Sequence, residues 1–550
     1  MRRFALAAAL LCGTFLSAQA QTLRWANDGD VNSMDPYTRN ETLLLAFNSH
    51  IYEPLVRRDR NMEPEPALAE RWEQPSPTVW RFHLRRGVKF TDGTPFTADD
   101  VVFSVQRVRA PGSNLNAVVA TVKEVRKLDD HTVEFETNGP NPILIRELAT
   151  FGIMSKQWSE KNNAARPADL TSREENFATR NAMGTGPFKL ASREPDRRTV
   201  LERNPDWWDK PAHNVERIEF TVIANDATRV AALLSGEVDF VYTVPPQDVE
   251  RIRRTQGTQI IQGPELRTIY IGMDQDRDQL LKSDVQGKNP FKDVRVRRAV
   301  NMAIDRTAIQ RTVMRGQSRP TGLIWGPGVN GFREEDDKIA PVDVEGAKRL
   351  LAEAGYPNGF GVTMDCPNDR YVNDEAICTA VVSMLARIGM RVTLNAQTRV
   401  RYFAEINGPR YNTSFYLLGW TPATGDAHNA LFNLAGTRDG TRGVFNNGGY
   451  SNPKLDDLIR RIGVETDQAA RQRMISEAAA VLREDAAYAP LHQQQIVWSS
   501  LNPALWWLAG SAALTRTNRR PASPNNPLLA WQEVFSSVIE AQLDGYRDIR

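Results

Sequence analysis

The sequence predicts an α/β protein built as several lobes. Its 550 residues are several times the length of a typical folding unit. Short runs of period two alternate with helical runs along most of the chain. Residues 217–242 give a βαβ-like pattern, with a strand at 217–223, a helix over 226–235 and a strand at 238–242. Mixed elements of this kind belong to α/β architecture rather than to a sandwich or a bundle.

In chain order, residues 22–26 alternate as a short strand, and 27–40 form a polar loop broken by Pro36. Residues 41–56 read as a helix ending in Glu53-Pro54-Leu55. Period two returns from Trp80 to Phe90, and Asp92-Gly93 is a turn. Thr97 caps a helix with Asp99 and Asp100 in its first turn and Val101, Val102 and Val105 apolar. A strand at 131–136 and a glycine-rich return from Met183 to Leu190 follow. Further strands are expected near 266–273, 390–396, 413–418 and 493–498. Helices are expected at 294–314, 343–354, 374–388, 453–464 and 467–485. Arg519 to Pro527 is a linker by composition, leaving 528–545 as one attached helix.

The first twenty residues read as an address. Arg2 and Arg3 precede an apolar run from Phe4 to Leu16, and Ala18-Gln19-Ala20 is a small-x-small cleavage site. Cleavage after Ala20 is expected, with the mature chain free in the periplasm. Cys12 does not make a lipoprotein, because Leu11 stands where a lipidation site wants a small residue. Arg2 and Arg3 also supply the whole formal charge of +2. The remainder is neutral, so no basic field exists to hold nucleic acid. A mean hydropathy of −0.46 excludes a polytopic membrane protein.

With Cys12 removed, Cys366 and Cys378 remain. In an oxidising compartment they are expected to form a disulfide stapling a strand end to a helix, worth about 3 kcal/mol by loop entropy. Two buried free thiols are the alternative. Zinc needs further ligands, and the nearest histidine is His428.

Catalytic motifs are sparse. No two of the six histidines stand at a metal-ligand spacing, and no HExxH, GxSxG or Walker A sequence occurs. Cys366 with His428 is the nearest approach to a nucleophile and base. Aromatic and polar residues at strand ends are more informative. Trp420 leaves the run Phe415–Gly419, where an indole serves either as a flat wall for a ligand or as a plug for the core. Arg370 and Tyr371 lie in the loop before the 374–388 helix. An arginine there either grips a ligand carboxylate or pairs with Asp369 or Asp374. Trp207-Trp208 reads as packing at a turn.

The stretch Trp80-x-Phe-x-Leu-Arg-x-Gly-Val-Lys-Phe-x-Asp-Gly-x-Pro-Phe-Thr-Ala-x-Asp-Val closely resembles the signature of the family 5 extracellular solute-binding proteins, the peptide-, opine- and nickel-type receptors of ABC importers. Ser33-Met-Asp-Pro, Ile51-Tyr-Glu-Pro-Leu, Gly184-Thr-Gly-Pro-Phe, Asn204-Pro-Asp-Trp-Trp and Leu234-Ser-Gly-Glu-Val-Asp match in order. So do Val294-Arg-Val-Arg-Arg-Ala-Val-Asn-Met-Ala-Ile-Asp, Ala347-Lys-Arg-Leu-Leu-Ala-Glu-Ala-Gly-Tyr, Tyr450-Ser-Asn-Pro-Lys-Leu-Asp and Pro490-Leu-His. The resemblance implies a bilobed periplasmic-binding-protein fold hinged on two crossing strands. Lobe I would hold 21–54, 184–270 and 496–518, with an inserted subdomain at 55–183, and lobe II 271–495. Residues 519–550 would be a linker and helix.

The function implied is a monomeric receptor that carries a small peptide or peptide-like solute to ABC permease subunits in the inner membrane. It would need no cofactor and no metal. A secreted peptide hydrolase or a chaperone-like peptide binder on the same scaffold is the rival. In dipeptide receptors of the family an aspartate three residues after the strand-end tryptophan pairs with the ligand amine, and here that position is Ala423. Asp426, three residues further on, is either the substitute for it or a residue that only shapes its loop. The implied ligand contacts are therefore Arg370 for a carboxylate, Trp420 for stacking, Tyr371 and Ser33 for hydrogen bonds, and Asp426 for an amine.

Overall fold

Two long strands organise the molecule. Thr258–Met273, of 16 residues, and Tyr488–Leu501, of 14, pair antiparallel from Thr258↔Leu501 to Gly272↔Tyr488. At about 3.3 Å per residue they extend roughly 45–50 Å, enough to serve two separate cores. In this computed structural model the described residues are 21–59, 62–210, 215–407 and 410–501. The expected leader, the return beyond residue 501, the linker and the 528–545 helix lie outside them.

One sheet of eleven strands runs across both halves. On one side of the long pair stand Phe240–Val241, Gln21–Asn27, Val215–Val222, Arg198–Arg203 and Phe188–Glu194, in that order. On the other stand Phe415–Trp420, Gly361–Pro367 and Arg391–Gln397, while Ser318–Pro320 pairs directly with Tyr488–Leu501. The βαβ pattern near 217–242 is present. Asn225 caps the helix Asp226–Ser235 through Thr228 N, and Gly236, at φ +79°, ends it. A second unit joins Gly361–Pro367 to its parallel neighbour Arg391–Gln397 through the helix Asp374–Ala386.

The long strands read out their period in the cores they feed. Ile269 and Ile271 join one buried cluster with Leu417 and Leu491, while Tyr270 between them joins another with Trp420 and Tyr488. Toward the other end, Ile261, Ile496 and Trp498 pack with Leu23, Trp25 and Phe220. Between these regions the ladder slips, from Pro264↔Gln495 to Thr268↔Gln493. Proline has no N–H to donate, and an irregular ladder bends its strand.

The signature region forms a separate four-stranded antiparallel sheet, ordered Ala69–Ser76, Val79–Leu84, Thr132–Thr137 and Val122–Asp129. Trp80, Phe82 and Leu84 point inward along the alternating strand. Thr97 and Asp100 close a capping box on the helix Ala98–Arg109.

Several boundaries differ from the sequence expectation. The helix expected over 41–56 spans only Thr42–Asn48. The helix expected over 294–314 stops at Ala303, because Asp305 accepts a hydrogen bond from Ala308 N at 2.8 Å and starts a new turn. The strand expected at 413–418 is Phe415–Trp420, so Trp420 is its last residue rather than the one after it.

Candidate functional site

The loop carrying Arg370 and Tyr371 is tied down at both ends. Cys366, on the strand Gly361–Pro367, is bonded to Cys378 on the following helix, with Cα atoms 6.6 Å apart. The carboxylate of Asp374 accepts hydrogen bonds from Arg370 N at 2.9 Å and Tyr371 N at 3.0 Å. Asn373, at φ +57°, turns the chain into the helix. Asp369 accepts from Arg399 N at 2.5 Å. Asp369 and Asp374 thus both accept backbone amides that hold the loop's shape. The Arg370 guanidinium lies 4.9 Å from the Tyr371 ring centroid and 6.0 Å from that of Phe403. The Tyr371 hydroxyl donates to Gly419 O at 3.3 Å.

This loop faces the bend in the long strands. There Glu265 and Arg267 form a buried ion pair of 2.6 Å, and Gln494 Nε2 donates to the other Glu265 oxygen at 2.8 Å. Burial pushes the Glu265 carboxyl up, opposed by Arg267 and Arg370. The Arg267 guanidinium is 5.9 Å from the Tyr371 ring. Gly419 permits this close approach, because a Cβ there would lie 2.7 Å from Tyr371 and from Ile269, and 3.0 Å from Arg267. Glu265, Arg267, Arg370, Tyr371 and Gly419 therefore meet where the two halves join. Sequence reading missed Glu265 and Arg267. Their signal was two opposite charges two residues apart at the start of the strand expected near 266–273.

The other candidates lie elsewhere. Trp420 is buried in the core of its own half; its Nε1 donates to Asn429 Oδ1 at 3.0 Å, and its ring is 5.0 Å from Phe445. It sits at the strand end, next to Gly419, and plugs the core. Ser33 is buried at a turn, its hydroxyl accepting from Asp35 N at 3.0 Å. Asp35 in turn pairs with Arg107, joining this turn to the helix Ala98–Arg109. Ser33 is not part of the Arg370 cluster.

Asp426 requires a correction. Its oxygens accept Arg471 Nη1 and Nη2, both at 2.8 Å, Asn330 Nδ2 at 2.7 Å and His428 N at 2.8 Å. Burial pushes its carboxyl up, and Arg471 reverses this, holding it below the usual range. A carboxylate offers about four acceptor positions, and here four donors fill them. Asp426 shapes its loop. The nucleophile-and-base reading also ends here: Cys366 is in the disulfide, and His428 Nε2 meets Ile459 O at 3.1 Å.

Three motifs converge on Glu53. Trp207 Nε1 at 3.0 Å, Trp208 Nε1 at 2.9 Å and Thr185 Oγ1 at 2.7 Å all donate to its carboxylate. Burial raises its pKa to about 7. The motifs around residues 51, 184 and 204 thus build one structural knot, and Trp207-Trp208 is packing.

Residues 63–442 match the family described as bacterial extracellular solute-binding proteins, family 5 Middle, over more than half of the chain. The chain belongs to this family. Residues 464–550 separately match a family described only as protein of unknown function (DUF3141). The glutathione-binding protein GsiB of Escherichia coli (strain K12) is 25% identical over 485 residues, covering 86% of this chain and 90% of that protein. The periplasmic binding protein DppA of Helicobacter pylori, solved with the peptide STSA, aligns at TM-score 0.71 and 25% identity, over 88% of this chain and 94% of that one. The binding protein CtaP of Listeria monocytogenes aligns at TM-score 0.76 and 21% identity, over 88% and 94%. The fold is the bilobed α/β fold of family 5 solute-binding proteins, and the family is one of binding proteins rather than enzymes. Its signature strand, helix and glycine motifs build the scaffold here. The Arg370 cluster sits instead at the junction of the halves, where a bilobed receptor encloses its solute.

Proposed function

We propose that this protein is a periplasmic receptor that closes over a peptide or peptide-like solute bearing a free carboxylate and presents it to an ABC permease. The observation carrying this reading is the Arg370–Tyr371 loop, held by Asp374 and by the Cys366–Cys378 bond against the buried Glu265–Arg267 pair. A planar guanidinium on a pinned loop is suited to two-pronged capture of a carboxylate, and Tyr371 and Gly419 form the adjoining wall. Lobe I is assigned residues 21–54 and 184–270 with the return from 496, the subdomain 55–183, and lobe II 271–495. Export follows cleavage after Ala20, and the receptor acts as a monomer. Homology to a glutathione-binding protein and likeness to a peptide-bound DppA support the substrate class.

The test is titration of the mature chain with glutathione and with the tetrapeptide Ser-Thr-Ser-Ala. Calorimetry should show saturable binding, X-ray scattering a smaller radius of gyration, and chromatography an intact peptide. Appearance of cleavage products would favour a hydrolase on the same scaffold, and absence of binding to either compound would reject the peptide reading.

A further inference from the structure

A cavity of about 360 Å³ lies between residues 298 and 490, within the half assigned to lobe II, and shares no residue with the Arg370 cluster. Its size is at the lower end of the roughly 300–1,000 Å³ span of small-molecule sites, room for one chain and not for a whole lipid. Two helices and the connecting chain build it. Arg298 and Met302, four residues apart and so on one face, come from the helix Val294–Ala303. Leu482 and Arg483 come from the end of the helix Gln468–Glu484. Leu323 and Ile339 come from the chain between, and Ile339 is 42% exposed, so the cavity's edge meets solvent.

The walls are largely apolar, yet the charged side chains among them are of one sign. Arg298, Arg306, Lys338 and Arg483 line the cavity, and no acid does. Arg298 Nη2 donates to Glu484 O at 2.7 Å and Arg483 Nη1 to Asp336 O at 3.4 Å, both main-chain carbonyls. Arg306 is 3% exposed and gives its hydrogen bonds to neutral oxygens of Pro490, Ile304 and Asn301. The acids nearby are engaged elsewhere. Asp337, whose charge bears on Arg306, pairs with Arg319 at 2.6 Å, and Asp336 Oδ2 accepts from Ser476 Oγ at 2.6 Å.

Buried arginines elsewhere in the molecule have a carboxylate: Arg107 has Asp35, and Arg471 has Asp426. Arg306 has only carbonyl dipoles, which stabilise its charge without cancelling it. With three more cations around it, the cavity carries a positive field in a low-dielectric wall, where an anion gains most. A small inorganic anion would leave the apolar wall uncovered, and a hydrocarbon would leave the charge unanswered. An apolar chain ending in a carboxylate satisfies both.

We propose that this cavity is a second ligand site, for a free medium-chain monocarboxylate, with its chain against Met302, Leu323 and Leu482 and its carboxylate in the field of Arg298, Lys338 and Arg483. The site lies within one half of the molecule, so it fills without closure of the halves and does not depend on the peptide reading.

The test is calorimetry of the mature protein at low salt with decanoate, octanoate and decanol, each below its aggregation concentration. Variants are Ala340→Phe, which fills the cavity from its lining, and Lys338→Glu, at an exposed position that keeps the test available if the filled cavity does not fold. Thermal melting checks both. Decanoate should bind the wild type at one saturable site. Octanoate, two methylenes shorter, should bind about tenfold more weakly, and decanol, with the same chain and no charge, at least tenfold more weakly. Ala340→Phe should weaken decanoate at least tenfold. Lys338→Glu should weaken it at least threefold and leave decanol within twofold. Absence of saturable decanoate binding, equal affinity for decanol, or a decanoate affinity unchanged in Lys338→Glu would each overturn the site.

Discussion

Replacing Asp426 by alanine should damage stability and spare affinity. Its carboxylate and the Arg471 guanidinium are 0% and 2% exposed, joined by two hydrogen bonds of 2.8 Å. Alanine would leave a guanidinium buried with its main partner gone, and breaking a buried pair from one side costs about 3–5 kcal/mol. It also removes the cap on His428 N, worth about 1 kcal/mol more. Against a total stability of about 5–15 kcal/mol, that is a large fraction. With a urea slope of about 3 kcal/mol/M, the unfolding midpoint of this half should fall by about 1 M or more. Tryptophan fluorescence in urea measures it, and calorimetry with Ser-Thr-Ser-Ala measures affinity on the same sample. The double variant Asp426→Leu/Arg471→Met should recover most of the loss, since it leaves neither charge buried alone. A midpoint shift below about 0.3 M, or a tenfold loss of affinity in a normally stable Asp426→Ala protein, would refute the reasoning and return Asp426 to the ligand.

Glu53 should give stability a pH dependence. Its folded pKa of about 7 lies above its ordinary 4.5, so the folded state keeps a proton that the unfolded chain releases. Stability therefore falls as pH rises from about 4.5 to 7, by about 3 kcal/mol at most. Urea midpoints across that window should slope less in Glu53→Gln, and parallel curves would contradict the knot described. Reduction of the Cys366–Cys378 bond should cost about 3 kcal/mol; intact mass should rise by two hydrogens on reduction, and two alkylatable thiols in unreduced periplasmic protein would dispose of the staple. Gly419→Ala should weaken peptide binding at least tenfold, because its Cβ would press on Tyr371 and Arg267. Unchanged affinity would show that this close approach is unimportant.

The scaffold was legible because its signals are local. The alternation of Trp80, Phe82 and Leu84, the Thr97 cap and the cysteine spacing each report on a few neighbouring residues. The boundary of the 294–314 helix was misplaced for the same reason. Asp305 stops it by capping the next turn, a choice that apolar periodicity does not record. The Arg370–Tyr371 loop was singled out from its position before a helix together with the family resemblance. Glu265, Arg267 and Gln494 were not, since their proximity comes from strand pairing across more than 200 residues of sequence. The saturation of Asp426 by Arg471, 45 residues away, is equally invisible to local pattern.

The central claim is that Arg370 holds a ligand carboxylate at the junction of the lobes. Its most direct measurement is the calorimetric affinity of wild type and Arg370→Ala for Ser-Thr-Ser-Ala with a free and with an amidated C-terminus. A charged, partly desolvated contact is worth about 1.5–3 kcal/mol, so amidation should weaken wild-type binding roughly ten- to a hundredfold. Arg370→Ala should bind both forms equally weakly. An Arg370→Ala protein that still prefers the free carboxylate to the amide by the wild-type margin would contradict the assignment.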